Sequence, residues 1–230
     1  MSKKYSILIA VLLLFSLLAF GCSQNDTSGN ESGEKLSPKH GGTLRIAIDT
    51  TTALDPTFLT TSGDNQAASM WNDYLVFCGE DGRPDPERSL AESWEYDEAE
   101  KAWTFKLRKG VLFHDGKEMT SRDVKFTFDR LRDPDVGAKT VDLFSNIADI
   151  TTPDEYTVVF KLKETNPEFL LDLADRAILD ADNPDLKTKA NGVGPFMVES
   201  YNPEDRIVLK RNPNYWRKDA DGNPLPYLDG

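Results

Sequence analysis

The chain has 230 residues, of which 39% are hydrophobic and 29% are charged, and this balance excludes disorder throughout its length. Its formal net charge of −12 argues against a nucleic-acid partner, because contact with phosphates needs a basic surface. Two cysteines are too few for a disulfide framework.

The first residues have the pattern of an export signal. Two lysines precede the apolar run Ile7–Phe20, which is shorter than the ~20 residues that a membrane-spanning helix needs. The run ends in LAFGC, which resembles a lipobox and implies lipidation of Cys22; a retained anchor with an incidental cysteine is the alternative. We therefore expect a signal peptide over 1–21. A lipid-anchored flexible tether is expected over 22–40, because its mostly polar residues cannot bury a core.

A strand, a loop and a helix are predicted next. The strand is indicated by three alternating apolar residues, Leu44, Ile46 and Ile48. The turn residues Asp55-Pro56 and Gly63-Asp64 mark the loop. The helix is indicated by apolar positions at helical spacing, Ala67, Met70, Trp71, Tyr74 and Phe77. A loop between a strand and a helix is a usual place for a ligand.

A β-hairpin and a capped helix follow. Residues 90–96 and 103–107 read as two strands across the acidic turn DEAEK, and Asp115-Gly116 suits a tight turn. Thr120 and Asp123 have the spacing of a reciprocal helix cap. The predicted helix is Ser121–Leu131, with one apolar face made by Val124, Phe128 and Leu131.

The rest of the chain predicts a second hairpin, a short helix and two more strands. The hairpin pairs 147–150 with 156–162 through a turn at Thr152-Pro153-Asp154. Asn166 is expected to cap a helix that has Pro167 at its first position. After the turn Gly192–Phe196, apolar alternation indicates strands on both sides of 202–205.

Four motifs resemble a known family, in its order and spacing. They are LxxSWE from Leu90, WTFKLRKGVLFHDG from Trp103, TSRDVKFTFDRLRDP from Thr120 and LKRNPNYW from Leu209. Together they resemble the extracellular solute-binding proteins of peptide importers. This is the family-5 group of ABC transporter binding proteins, which includes oligopeptide, dipeptide and nickel binders. The likeness runs from about Gly41 to the last residue.

The resemblance implies a mixed fold, α+β or α/β, with one lobe of the type II periplasmic-binding-protein kind and a small inserted α+β subdomain. The lobe would begin over 41–80, the subdomain would span 81–190, and the chain would return to the lobe over 191–230. Family members are commonly more than twice as long. We therefore expect an N-terminal fragment in which the second lobe is missing.

The resemblance also indicates ligand-binding residues. Thr60, Thr61 and Ser62 occupy the segment that runs beside the bound peptide in oligopeptide binders and offers it backbone hydrogen bonds. The alternative is a polar surface loop. Phe126 lies where an aromatic residue faces the cleft in those proteins, and a second buried helix face is its alternative role.

The sequence shows no catalytic constellation. His40 and His114 are the only histidines, which gives poor support to a zinc site or a Ser-His-Asp triad, and no phosphate-binding or dinucleotide motif is present. We expect no catalytic residue, no metal and no cofactor. His114 is expected to shape the HDG turn, and Cys78 to act as a small buried hydrophobe.

The preferred hypothesis is a lipid-anchored receptor that delivers a peptide or related small solute to an ABC permease and its ATPase. We expect an exported monomer at the outer face of the cell membrane or in the periplasm. The alternative is a signalling lipoprotein that presents a peptide pheromone or other ligand to a membrane sensor. A secreted hydrolase is a third hypothesis, and it would need a nucleophile and a base that the sequence does not show.

Overall fold

Strands pair into two separate antiparallel sheets in the computed structural model, which describes residues 38–49, 51–203 and 205–230. The larger sheet has the order β1-β2-β4-β3, with β1 Ala91–Asp97, β2 Ala102–Leu107, β3 Ile147–Asp154 and β4 Thr157–Leu162. The smaller sheet pairs β5 Phe196–Asn202 with β6 Arg206–Arg211. The α-helices are α1 Ser62–Ala68, α2 Ser121–Arg132 and α3 Phe169–Leu173, and Pro56–Phe58 forms a 3-10 turn.

The two predicted hairpins of the larger sheet are confirmed. Trp94 lies opposite Phe105 across β1 and β2, and Ile150 lies opposite Phe160 across β3 and β4. The second hairpin turns later than predicted, because β3 continues through Asp154. The alternation of apolar and polar residues places one face of this sheet in the core.

The predicted capped helix is confirmed as α2. The Asp123 carboxylate accepts the Thr120 backbone N–H at 2.8 Å, which satisfies a donor that the first turn leaves unpaired. The predicted apolar face is buried, and the Phe128 ring contacts that of Phe160 edge-on at 5.1 Å between centroids. Helix α2 is therefore held on the sheet by aromatic packing.

Buried side chains from Lys39–Gly230 form two clusters. The larger contains the inner face of the sheet and the apolar sides of α2 and α3. The smaller contains Leu54, Ala67, Ala68 and Trp71, with side chains of β5 and β6 packed against it. The chain passes between the clusters where Gly192 and Gly194 cross Trp71: a Cβ on Gly192 would lie 1.9 Å from the Trp71 carbonyl oxygen. Only glycine permits this approach.

The predicted first strand is wrong. No strand is formed by the apolar residues expected in it, Leu44, Ile46 and Ile48, and all three are exposed. The Gly41 and Leu44 amides donate to the carbonyls of Tyr227 and Gly230 at 2.8 and 3.0 Å, and the Asp229 amide donates to the Gly42 carbonyl at 2.8 Å. These three bonds end at Leu44, so no ladder continues along Ile46 and Ile48, and alternation is not sufficient without a continuous neighbour.

The predicted helix up to Phe77 is also wrong, because α1 ends at Ala68. The Asn72 amide makes a helix-type bond to the Ala68 carbonyl at 3.1 Å, and the Asn72 side chain donates to the same carbonyl at 3.0 Å, where it competes with a continuing helix. Tyr74 and Val76 then bridge to the segment that follows α3. Their apolar spacing reflects burial in an extended segment.

The third helix begins later than predicted. Glu168 precedes its first residue, so Asn166 is not the residue next to the helix. Instead, the Asn166 side chain accepts the Glu168 backbone N–H at 2.9 Å and forms a turn ahead of α3. No helix of the described residues has the length and hydrophobicity to cross a membrane. The predicted signal peptide and Cys22 lie outside the described residues.

Candidate functional site

A small cavity lies between α1 and α2, with a volume of about 60 Å³. Leu59 and Ala68 line it on one side, Leu131 lines it from α2, and Ala177 and Leu179 line it from the segment that follows α3. We call it the α1–α2 cavity. Its walls include the loop before α1, where the sequence predicts a ligand, and the helix α2, which carries Phe126.

Most polar side chains of the α1–α2 cavity already have partners. Asn65 and Asn72 donate from their side-chain amides to carbonyl oxygens four residues earlier, at 2.9 and 3.0 Å. The Thr127 hydroxyl donates to the carbonyl four residues earlier at 2.8 Å and accepts the Leu179 backbone N–H at 2.9 Å. The polar atoms of these three side chains are therefore already hydrogen-bonded within the protein.

Three donors at the α1–α2 cavity differ from the others. The side chains of Tyr74, Lys139 and Arg176 have no hydrogen bond or ion pair to a described residue, and Arg176 Nε is buried. Burial and the nearby Asp175 raise the pKa of Tyr74 far above its usual range, so its hydroxyl stays a donor. Asp175 has a φ of 58°, a conformation that non-glycine residues seldom adopt.

An ion pair fixes the loop beside the cavity. Arg130 Nη2 on α2 lies 2.7 Å from Oδ2 of Asp55, whose side chain is 1% exposed, and Arg130 Nε donates to the Thr57 hydroxyl at 3.0 Å. The other Asp55 oxygen accepts the Thr57 amide at 2.9 Å. The buried carboxylate is thus satisfied on both oxygens, which ties the 3-10 turn to α2.

The residues before α1 are held by Asp64. Its carboxylate accepts the backbone N–H of Thr52 at 2.6 Å and those of Thr60 and Thr61 at 3.3 and 3.2 Å, while its own amide donates to the Thr61 hydroxyl at 2.9 Å. Burial alone would raise the pKa of Asp64, but these donors hold it below its usual value. These hydrogen bonds tie the residues before α1 to Asp64 and stabilise its charged form.

The four predicted ligand residues lie around the α1–α2 cavity without lining it. Thr60 and Ser62 are exposed, and Thr61 is partly buried as the residue that caps α1. Phe126 is partly exposed on α2 and belongs to neither buried cluster. The amides of Thr60 and Thr61 already donate to Asp64, so these two groups are occupied in this arrangement.

Sequence reasoning missed the charged residues of the site. Arg176 stands between apolar residues in LADRAIL, where a charge among buried neighbours could have indicated a site. The partners Asp55 and Arg130 are 75 positions apart, and no local pattern connects them.

A carboxylate is enclosed by the NYW motif. Asp73 accepts the Trp216 indole N–H at 2.7 Å and the Tyr215 hydroxyl at 3.4 Å. Burial raises the pKa of Asp73 to about 7, and the two hydrogen bonds and the charges of Arg217 and Arg88 offset only part of that effect.

This pKa predicts a pH dependence of stability. Because the folded protein binds the Asp73 proton more tightly than the unfolded chain does, the contribution is complete below pH ~4, the unfolded value, and is lost as the pH rises through about 7. Asp73→Asn should therefore raise the melting temperature more at pH 8 than at pH 5. Thermal unfolding at both pH values tests this, with exposed Asp142→Asn as the control. An equal effect of Asp73→Asn at the two pH values would contradict it.

The remaining chemically reactive residues have structural roles. His114 Nε2 lies 3.2 Å from the Gly194 carbonyl oxygen, and the His114 backbone N–H donates to the Gly192 carbonyl oxygen. The residue therefore joins the HDG turn to the segment of Gly192 and Gly194 that crosses Trp71. Burial lowers the pKa of His114 and raises that of the Cys78 thiol, which is only partly buried. The described residues contain no group of three or more His, Cys, Asp or Glu side chains placed to hold a metal ion.

Curated proteins with similar sequences are peptide-binding proteins. The chain is 34% identical over 149 residues to the probable D,D-dipeptide-binding periplasmic protein DdpA of Escherichia coli, which covers 60% of this chain and 28% of that protein. It is 32% identical over 196 residues to di/tripeptide-binding protein 1 of Pseudomonas aeruginosa, which covers 72% of this chain and 36% of that one. The chain thus spans about a third of the length of these relatives.

Solved structures share the fold. The oligopeptide-binding protein AppA of Bacillus subtilis, in complex with a nonapeptide, superposes with a TM-score of 0.74 at 28% identity, over 84% of this chain and 40% of that one. The periplasmic binding protein DppA of Helicobacter pylori, in complex with the peptide STSA, gives 0.73 at 27% identity, over 83% and 42%. The predicted mixed fold is confirmed.

A family profile matches most of the chain. It is described as bacterial extracellular solute-binding proteins, family 5 Middle, and it covers residues 85–230. These residues include the larger sheet, α2 and both strands of the smaller sheet. The chain therefore belongs to the bacterial extracellular solute-binding proteins, family 5.

Proposed function

We propose that this chain is the solute-binding component of an ABC importer, or the part of it that the sequence covers, and that it holds a peptide or related small solute for a membrane permease and its ATPase. The observation that carries the proposal is the match over 84% of the chain to an oligopeptide-binding protein solved with a nonapeptide. The identity to di/tripeptide-binding and dipeptide-binding relatives supports peptides as the solute class.

The work of such a protein is binding and release, so no catalytic residue is assigned. Ligand binding would favour a closed arrangement over an open one, and the permease would recognise the closed form. A protein that accepts peptides of many sequences is expected to contact the peptide backbone, because every peptide has one.

We place the ligand beside Thr60, Thr61 and Ser62, with the Phe126 ring as a side-chain contact. The exposure of Thr60 and Ser62 and the absence of Phe126 from both buried clusters support this position. Because Asp64 accepts the amides of Thr60 and Thr61, and the Thr61 carbonyl and hydroxyl already accept from Asn65 and Asp64, the contacts of this segment would come mainly from the Thr60 carbonyl and from the hydroxyls of Thr60 and Ser62.

The proposed chain organisation keeps the inserted subdomain at 81–190, between the lobe segments 41–80 and 191–230. The larger buried cluster draws mainly on the subdomain, and the smaller one combines residues of the two lobe segments, which supports this division.

The proposed location is the outer face of the cell membrane or the periplasm. An export signal over 1–21 would be removed, and a lipid on Cys22 would anchor a monomer through the tether 22–40. Mass spectrometry of the N-terminal peptide from membranes would reveal the diacylglyceryl modification.

Isothermal titration of the full chain with Ala-Ala-Ala and with mixed di- to pentapeptides tests the function. We expect saturable binding, and Phe126→Ala should weaken it about two- to twelvefold, because an aromatic contact contributes about 0.5–1.5 kcal/mol. The control is Leu171→Ala, which removes an exposed apolar side chain from α3 and should leave affinity unchanged. The proposal is overturned if no peptide binds, and the role of Phe126 is overturned if both variants bind as the wild type does.

A further inference from the structure

The α1–α2 cavity is locally cationic in an acidic protein. Arg176 and Lys139 line it, and neither forms an ion pair among the residues described, although the chain carries a net charge of −12. Asp175 is the only carboxylate among the lining residues; it and Lys139 are both exposed to solvent, whereas Arg176 is partly buried. The lining therefore has an excess of one positive charge.

Among the described residues, no protein group satisfies the Arg176 donors. Its Nε is buried without a partner, while Asn65, Asn72 and Thr127 on the same walls already use their polar atoms elsewhere. A buried donor that is left unsatisfied is costly, and a guanidinium is more costly than a neutral group. An occupant of the cavity that accepts hydrogen bonds would remove this cost.

The size of the cavity limits what can enter it. At about 60 Å³ it has room for only a few water-sized groups. Sites for whole small molecules are about 300–1,000 Å³. The occupant is therefore one end group of a larger ligand.

We propose that Arg176, with Lys139 and the Tyr74 hydroxyl, binds a carboxylate of the transported solute in the α1–α2 cavity. A carboxylate fits because its two oxygens match the planar fork of a guanidinium and accept charge-assisted hydrogen bonds. The C-terminus of a peptide and an acidic side chain both supply this group. That the carboxylate belongs to a transported solute rests on the proposed function, whereas the anion site itself does not.

Acetate alone tests the anion site. In the ¹⁵N-labelled full chain, the Arg176 Nε–H resonance, identified by its loss in Arg176→Gln, should shift saturably as acetate is added. Arg83, whose side chain is 85% exposed, provides the reference resonance. If the Arg176 resonance moves no more than that of Arg83, the site does not bind carboxylates and the proposal is overturned.

Peptides identify the source of the carboxylate. We compare Ala-Ala-Ala, its C-terminal amide and the amide of Ala-Glu-Ala by titration. The wild type should bind the free acid about tenfold more tightly than its amide. Arg176→Gln should lose this preference, Arg176→Lys should keep part of it, and Arg83→Gln should keep all of it. Thermal unfolding of each variant separates loss of binding from loss of folding.

The outcomes separate the two proposals. Equal binding of acid and amide by the wild type overturns a C-terminal carboxylate, and the inference then stands only if Ala-Glu-Ala amide binds more tightly than Ala-Ala-Ala amide in an Arg176-dependent way. If neither preference appears, the inference fails while peptide binding stands. If acetate shifts the Arg176 resonance but no peptide binds, the anion site is supported and the peptide function fails.

Discussion

Arg130→Met should lower the free energy of unfolding by about 3–5 kcal/mol, because it leaves the buried Asp55 carboxylate without its cation. The methionine keeps much of the side-chain volume, so the loss reflects charge and hydrogen bonding more than packing. Urea unfolding followed by tryptophan fluorescence would measure it. The loop that Asp55 anchors also borders the α1–α2 cavity, so peptide affinity should fall as well.

Two comparisons isolate the ion pair. Asp55→Ala combined with Arg130→Met should cost less than the sum of the single changes, because residues in direct contact are not additive. Arg206→Met removes an ion pair whose side chains are 71% and 50% exposed, and it should cost no more than about 1 kcal/mol. If Arg130→Met is no more destabilising than this surface change, Asp55 does not depend on Arg130.

Phe128→Ala should destabilise the protein by about 3–5 kcal/mol, since it leaves a cavity between α2 and the larger sheet. The Phe128 side chain is fully buried, and its ring contacts those of Phe144 and Phe160 at 5.3 and 5.1 Å between centroids. Chemical denaturation of the variant gives the difference directly.

A graded series checks the packing argument. Phe128→Leu retains part of the volume and should cost less than Phe128→Ala. Leu171→Ala truncates an exposed side chain of α3 and should stay within about 0.5 kcal/mol of the wild type. An alanine variant as stable as the leucine variant would mean that α2 collapses onto the space, and the contact between α2 and the sheet would then be less rigid than the ring geometry indicates.

Elements with a local signal could be predicted from the sequence. The cap at Thr120 and Asp123 and the buried spacing of Val124 and Phe128 lie within a few residues, and these residues alone determine the start and the inner face of α2. The β1–β2 hairpin is similar, because both strands and their turn lie within 17 residues of each other, from 91 to 107. The family resemblance rests on these same segments.

Elements that depend on residues far away in the sequence could not be predicted from it. The apolar alternation at Leu44, Ile46 and Ile48 is typical of a strand, yet of these three only Leu44 bonds its backbone to a described residue, Gly230 at the other end of the sequence. Similarly, the spacing from Trp71 to Phe77 fits a helix, but the chain becomes extended after Asn72 and bridges to the segment that follows α3. Period alone does not distinguish these outcomes.

The sequence indicated residues around the α1–α2 cavity and none of the charged residues that line it. The resemblance indicated Thr60 to Ser62 and Phe126, which remain proposals, whereas the α1–α2 cavity depends on Arg176 and Lys139 reaching a helix more than 60 positions earlier. Charge alone does not mark such residues in a chain with 27 basic residues. What distinguishes Arg176 and Lys139 is that no described side chain pairs with them, and this depends on how the chain packs in three dimensions.

Residues 41–44 form backbone hydrogen bonds with residues 227–230, which lie beside the smaller sheet. Residues 227–230 lie along β6, where the Arg211 amide donates to the Asp229 carbonyl at 2.7 Å, and their other side is occupied by Gly41, Gly42 and Leu44. A truncation that starts after Leu44 would therefore strip the cover from an extended edge. Unpaired edges recruit strands from other molecules. Variants of this protein that aim for solubility should thus retain the residues that follow the tether.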